Sequence, residues 1–172
     1  MSIMYVDYVR DSGEPTCAGG VPSPALLARV PVSPGAERLT GVIAATSEWI
    51  DHAAVEQLRA DHAASIAAAT PDEPPPPEPD WQSCVRPKGE SPAALTGAID
   101  GTLTLDLLPS GVAEVRDVPA WSVLHIVGPV RHLIECPDGD GLLTIGITEP
   151  GDYRITLRAA RHLPQEWLIH AR

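Results

Sequence analysis

Ile99-Asp100-Gly101-Thr102-Leu103-Thr104-Leu105-Asp106-Leu107 decides the fold class. Ile99, Gly101, Leu103, Leu105 and Leu107 alternate with Asp100, Thr102, Thr104 and Asp106, the period of a half-buried strand with one apolar and one polar face. Downstream the pattern repeats. Pro109-Ser110-Gly111 turns the chain into a run from Val112 to Val118. Runs from Trp121 to Val127 and from Val130 to Cys136 follow, joined by a tight Gly128-Pro129 link. Pro137-Asp138-Gly139-Asp140-Gly141 is the next turn, and Leu142 to Ile147 the next strand. After Glu149-Pro150-Gly151-Asp152, Tyr153, Ile155, Leu157 and Ala159 alternate with Arg154, Thr156 and Arg158, and Trp167 to Ala171 closes the set. Seven short strands with turn residues every ~8–12 positions predict an antiparallel, Ig-like β-sandwich over residues 93–172. A Tyr just after such a Pro-Gly corner often bonds its hydroxyl back to the corner backbone, which is the expectation for Tyr153.

Upstream the composition changes three times. Residues 1–46 read as a small β module, with short apolar runs at Ile3 to Val9, Leu26 to Val32 and Leu39 to Ile43, and turn clusters at Asp11-Ser12-Gly13-Glu14-Pro15 and Ser33-Pro34-Gly35. Strands this small need another surface to pack on. Residues 47–70 read as an Ala-rich α-helix capped by Ser47, since Ile50 to Ala69 contains neither Pro nor Gly. Val55, Leu58, His62 and Ile66 follow 3–4 spacing and form a narrow stripe, suited either to a helix–helix contact or to the helix's own domain. Residues 71–92 read as an acidic linker: Pro74 to Pro77 favour an extended polyproline strut. The fold class expected is therefore mainly β, with one helix.

Charge narrows the partners. The 172 residues carry 12 Lys and Arg against 23 Asp and Glu, a net charge of −11, which repels phosphate backbones and anionic headgroups. Neither nucleic acid nor membrane insertion is expected, since no run approaches the roughly 18–20 apolar residues of a span. The start, Met1-Ser2-Ile3-Met4, lacks the basic end and apolar run of a secretory signal, so synthesis in the cytoplasm is the expectation. Cys17, Cys84 and Cys136 are odd in number and lack a CxxC spacing, which favours three free thiols over a disulfide framework or zinc site. Arg116, Arg131, Arg154, Arg158 and Arg161 fall in the C-terminal part and only four basic residues in the first 80, an arrangement expected to polarise the chain.

The catalytic search is unproductive. A two-residue Gly128-Pro129 hairpin would set His125 opposite His132, on a face with Trp121, Val123, Val127, Val130 and Ile134 that reads as core or subunit contact. Two imidazoles need a third ligand to hold zinc. His52 and His62 lie about 80° apart around a helix axis and nearly three turns apart along it, and no HExxH is present. Asp138-Gly139-Asp140-Gly141 is turn chemistry, because apolar Leu142 and Leu143 follow where a calcium loop needs ligands. No GxSxG, P-loop or GxGxxG occurs. The expectation is a protein that is not an enzyme, with no catalytic, cofactor or metal residues. Its candidate interface residues are Trp49, Val55, Leu58, Ile66 and Trp81, since interface energy concentrates in large side chains; Trp167 reads as core first.

Met4-Tyr5-Val6-Asp7-Tyr8 with Asp11-Ser12-Gly13, then Glu149-Pro150-Gly151-Asp152-Tyr153-Arg154-Ile155 and Leu163-Pro164-Gln165-Glu166-Trp167, carry a resemblance. They are similar to a group of small bacteriophage tail-region proteins, in which a module like the start of tail-fibre-assembly proteins is joined by a Pro-rich segment to a β-sandwich. The Ala-rich helix departs from the simplest form of that pattern and reads as an insertion for a subunit contact. The resemblance implies a virion component of the tail, at the baseplate, tail tip or fibre attachment site, acting as a scaffold among other tail or fibre proteins, as a homo-oligomer or in multiple copies per particle. A tail-fibre assembly chaperone is the alternative, and a host-receptor or glycan-binding module the third.

Overall fold

The computed structural model describes residues 2–70, 73–107 and 111–172, and by internal contacts the chain divides into two units, Met1–Lys88 and Gly89–Arg172. The expected turn at Pro109-Ser110 and the first two residues of the Pro-rich stretch lie outside the described residues. The chain is mainly β, with several antiparallel sheets and one main helix. No described helix is long and apolar enough to cross a membrane.

The first unit contains β1 (Ile3–Val9), β2 (Pro15–Val21), a single helical turn α1 (Pro24–Leu27), β3 (Ala36–Thr40), β4 (Glu48–Ile50), α2 (His52–Ala68), a 3-10 turn at Trp81–Cys84, and β5 (Val85–Pro87). β1 lies between β2 and β3 in an antiparallel sheet. Val6 and Tyr8 on one face of β1 meet Leu39, Val42, Ile50, Val55 and Cys84 in a seven-residue core. The β1–β2 turn depends on Gly13: its φ is +75°, and a Cβ there would stand 2.2 Å from the Ile50 carbonyl oxygen.

Two boundaries differ from the sequence reading. Helix α2 begins at His52, capped by Asp51, whose Oδ1 accepts from the Ala54 N–H at 3.3 Å. Ser47 is not the cap, because Glu48–Ile50 is drawn into an antiparallel pair with Val85–Pro87. That same pair overturns the assignment of residues 71–92 as a linker between domains. After the prolines the chain returns to the first unit, where Cys84 is fully buried and Trp81 packs on the core. The contact boundary falls at Lys88 instead. Four prolines favour an extended run; they do not say where its far end docks.

The second unit is a two-sheet β structure of β6 (Ala94–Leu95), β7 (Thr102–Leu105), β8 (Val112–Val118), β9 (Ser122–Val127), β10 (Arg131–Cys136), β11 (Asp140–Gly146), β12 (Gly151–Ala159) and β13 (His162–Ala171). One sheet runs β10-β9-β12-β13-β7 and the other β11-β8-β6. Inward residues from both, among them Val115, Leu124, Ile126, Ile155, Leu157, Trp167 and Ile169, form one core. Tyr153 is buried and its hydroxyl donates to the Glu149 carbonyl at 2.9 Å, the corner bond expected of it.

Among the described residues the strand count is eight, because the two-residue β6 had no pattern to announce it. β7 runs parallel to β13; period-two alternation marks a strand but carries no direction. The opening alternation also overshoots: Asp100 (φ +52°) and Gly101 (φ +76°) turn the chain, leaving Ile99 78% exposed. In β9 and β10, His125 pairs with Leu133 and His132 with Ile126. The link contains three residues, 128–130, so the register shifts by one and the two histidines do not oppose each other. His125 lies on the outward face while Leu124 and Ile126 point inward, so of the two readings of its face, core or subunit contact, core fails.

Candidate functional site

The sequence-derived interface residues scatter. Val55 is fully buried in the core of the first unit, and Leu58 and Trp81 are half-buried against it. Trp49 is half-buried in β4 opposite Arg86. Only Ile66, 54% exposed on the last turns of α2, stands open. The stripe is thus spent on its own unit, and its residues do not combine into one surface. Trp167 is core, as first read.

A polar cluster that the sequence reading missed lies in the first unit. Glu37 on β3 and His52 and Glu56, one turn apart on α2, bring three ligand-type atoms within 4.8 Å of one another. His52 Nδ1 shares a 2.9 Å hydrogen bond with the Tyr8 hydroxyl. Burial pushes the Tyr8 phenol well up, so it stays neutral. A His with two carboxylates has the right donors for a divalent cation. Its charges, however, are already met. Glu37 lies between Arg10, 2.8 Å from Oε2, and Arg59 on Oε1, and Arg59 also reaches Glu56 at 2.8 Å. Two guanidiniums against two carboxylates leave little attraction for a further divalent charge. The cluster therefore reads as a brace tying β1 and β3 to α2. The signal that could have found it is the i, i+4 spacing of His52 and Glu56 on one helix face.

The more open surface is the outward face of the five-stranded sheet. Register sets its rows: Glu135, Val123 and Arg158; then Leu133, His125, Thr156 and Glu166; then Arg131, Val127, Arg154 and Leu168. A shallow depression of about 640 Å3 crosses it, lined by His125, Arg154, Thr156, Arg158, Glu166 and His170. Arg154 pairs with Glu166 at 3.3 Å, and His170 Nδ1 with Asp152 at 2.6 Å. Arg158 has no ion-pair partner among the described residues, and exposed Leu168 stands opposite Arg154 on the same face. Guanidinium, imidazole and hydroxyl groups beside aliphatic patches can form a wet, reversible protein contact.

The expected charge polarisation is not a property of the two units. Residues 1–88 carry six basic and twelve acidic side chains, and residues 89–172 six and eleven. Arg86 and Lys88, just beyond the first 80 residues, even the balance. All three cysteines are free thiols: Cys17 exposed, Cys84 and Cys136 buried. No family model, curated protein or solved structure matches the chain.

Proposed function

We propose that this chain is a structural, non-catalytic protein of a bacteriophage tail, acting as a scaffold among other tail, baseplate or fibre proteins. The observation that carries the scaffolding role is the open outward face of the five-stranded sheet, where exposed His125, Arg158 and Leu168 share one face with no element of the described residues of their unit over it. The tail assignment rests on the motif resemblance. Its Tyr153 and Trp167 are core residues of the second unit, so that part of the motif specifies a scaffold and leaves the docking residues free to vary. A net charge of −11 supports protein partners over nucleic acid.

Mass spectrometry of purified, density-banded phage particles tests the reading. The expected result is this chain at a fixed small copy number per particle. Its clean absence from particles, with abundant protein in the lysate, overturns the virion role in favour of an assembly chaperone.

A further inference from the structure

β10 is an edge strand: it pairs with β9 on one side and, among the described residues, with nothing on the other. Its sequence is Arg131-His132-Leu133-Ile134-Glu135-Cys136. Proteins normally blunt such an edge with proline, lysine or a bulge. Here there is no proline or lysine, and six consecutive residues pair with β9 without a register shift. Leu133 is 62% exposed, the highest of any large apolar side chain in a strand of the described residues. Neither Arg131 nor Glu135 has an ion-pair partner among those residues, although Arg154 is paired with Glu166 and His170 with Asp152 on this sheet face.

The pattern is self-complementary. Arg131, Leu133 and Glu135 share the outward face, and Leu133 is midway between the two charges. An antiparallel pairing of β10 with the same strand of a second copy, about a two-fold axis at Leu133, sets Leu133 against Leu133. The same register sets each Arg131 directly opposite a Glu135, at the separation where cross-strand charges attract. Slipping the register by two residues forfeits both ion pairs, so one alignment is singled out. We propose that β10 is a homodimer interface, joining two five-stranded sheets edge to edge through a second copy of this chain. A two-fold axis demands an isologous patch of this kind. The inference stands whether or not the tail assignment does.

Sedimentation equilibrium of the full chain with reductant present, so that exposed Cys17 cannot cross-link, is the test. Wild type is expected to be dimeric at micromolar concentration. Arg131→Glu and Glu135→Arg each place two like-charged pairs across the axis and should weaken the dimer by at least about a hundredfold. The combined variant restores opposite charges and should restore the dimer. Both positions are exposed, and circular dichroism of each variant verifies that the monomer remains folded. A wild type that stays monomeric to about 100 µM, a dimer that tolerates either single reversal, or a double variant that fails to recover overturns the proposal.

Discussion

The two units hold themselves together by different physics. The first has a seven-residue core and leans on buried charge. Asp7 is 1% exposed in the central strand and is clamped by Arg38, with both guanidinium-to-carboxylate distances at 2.6 Å. The same guanidinium covers the Tyr5 ring at 4.5 Å and donates to the Val30 carbonyl at 2.8 Å, which fastens the segment after α1 over the sheet. Glu37 is 10% exposed between Arg10 and Arg59, and Lys88, nearly buried, reaches Glu14 at 2.9 Å. The second unit has a core of seventeen buried residues, and the ion pairs Arg116–Glu114, Arg154–Glu166, His170–Asp152 and Arg172–Asp106 among its described residues lie at the exposed surface. A small sheet that cannot bury enough apolar area uses paired charge to fix its layers. A two-sheet sandwich has no such need.

That contrast can be broken most sharply at Arg38. Arg38→Ala leaves Asp7 buried and unpaired and should cost about 3–5 kcal/mol. In urea titrations the first unit should then unfold early while the second keeps its midpoint, and Asp7→Ala added to Arg38→Ala should return part of the loss. Equal destabilisation of both units would end the comparison.

An alkaline titration tests the shared feature. Burial raises Cys84 and Tyr8 in the first unit, and Cys136 and Tyr153 in the second. The unfolded chain releases these protons first, so the stability they contribute is complete below about pH 8.5–10, the ordinary range of these groups, and falls as pH rises toward the folded values. Both units should lose stability above about pH 9. Thiol labelling separates them: Cys17 should react at once in the native protein, Cys84 only as the first unit opens and Cys136 only as the second does.

Two smaller effects sharpen the difference. Tyr153→Phe removes the corner bond to Glu149 and should cost about 1 kcal/mol, detected only in the transition of the second unit. Arg154→Ala removes an exposed pair with Glu166 and should change the unfolding free energy by less than about 0.5 kcal/mol. A large loss there would mean that surface charge matters to the sandwich after all.

Much of the second unit was legible because its strands announce themselves. Val112 to Val118 matches β8 residue for residue, and Tyr153, Ile155 and Leu157 all point inward as their alternation requires. Legibility failed where a residue's partner lies far away in sequence. Glu48–Ile50 resembled the start of a helix until Val85–Pro87 paired with it. Pro164 masked the first half of β13, which pairs with β12 through Gln165 and then, after a register shift, at His162. The candidate interface went the same way: Val55, Leu58 and Trp81 are large and apolar, and so are the residues a small core takes first. The open sheet face offered no such signal, because Arg, His and Thr on alternate positions look like any solvated strand.

By itself the sequence determined the β class, most strands of the second unit and the Tyr153 corner, because each follows from local periodicity or turn chemistry. Only the tertiary structure decided the parallel pairing of β7 with β13, the return of residues 81–88 to the first unit, the burial of Asp7 under Arg38 and the open edge at β10. Those depend on which distant segments meet, and no local pattern encodes the far partner of a strand or of a charge.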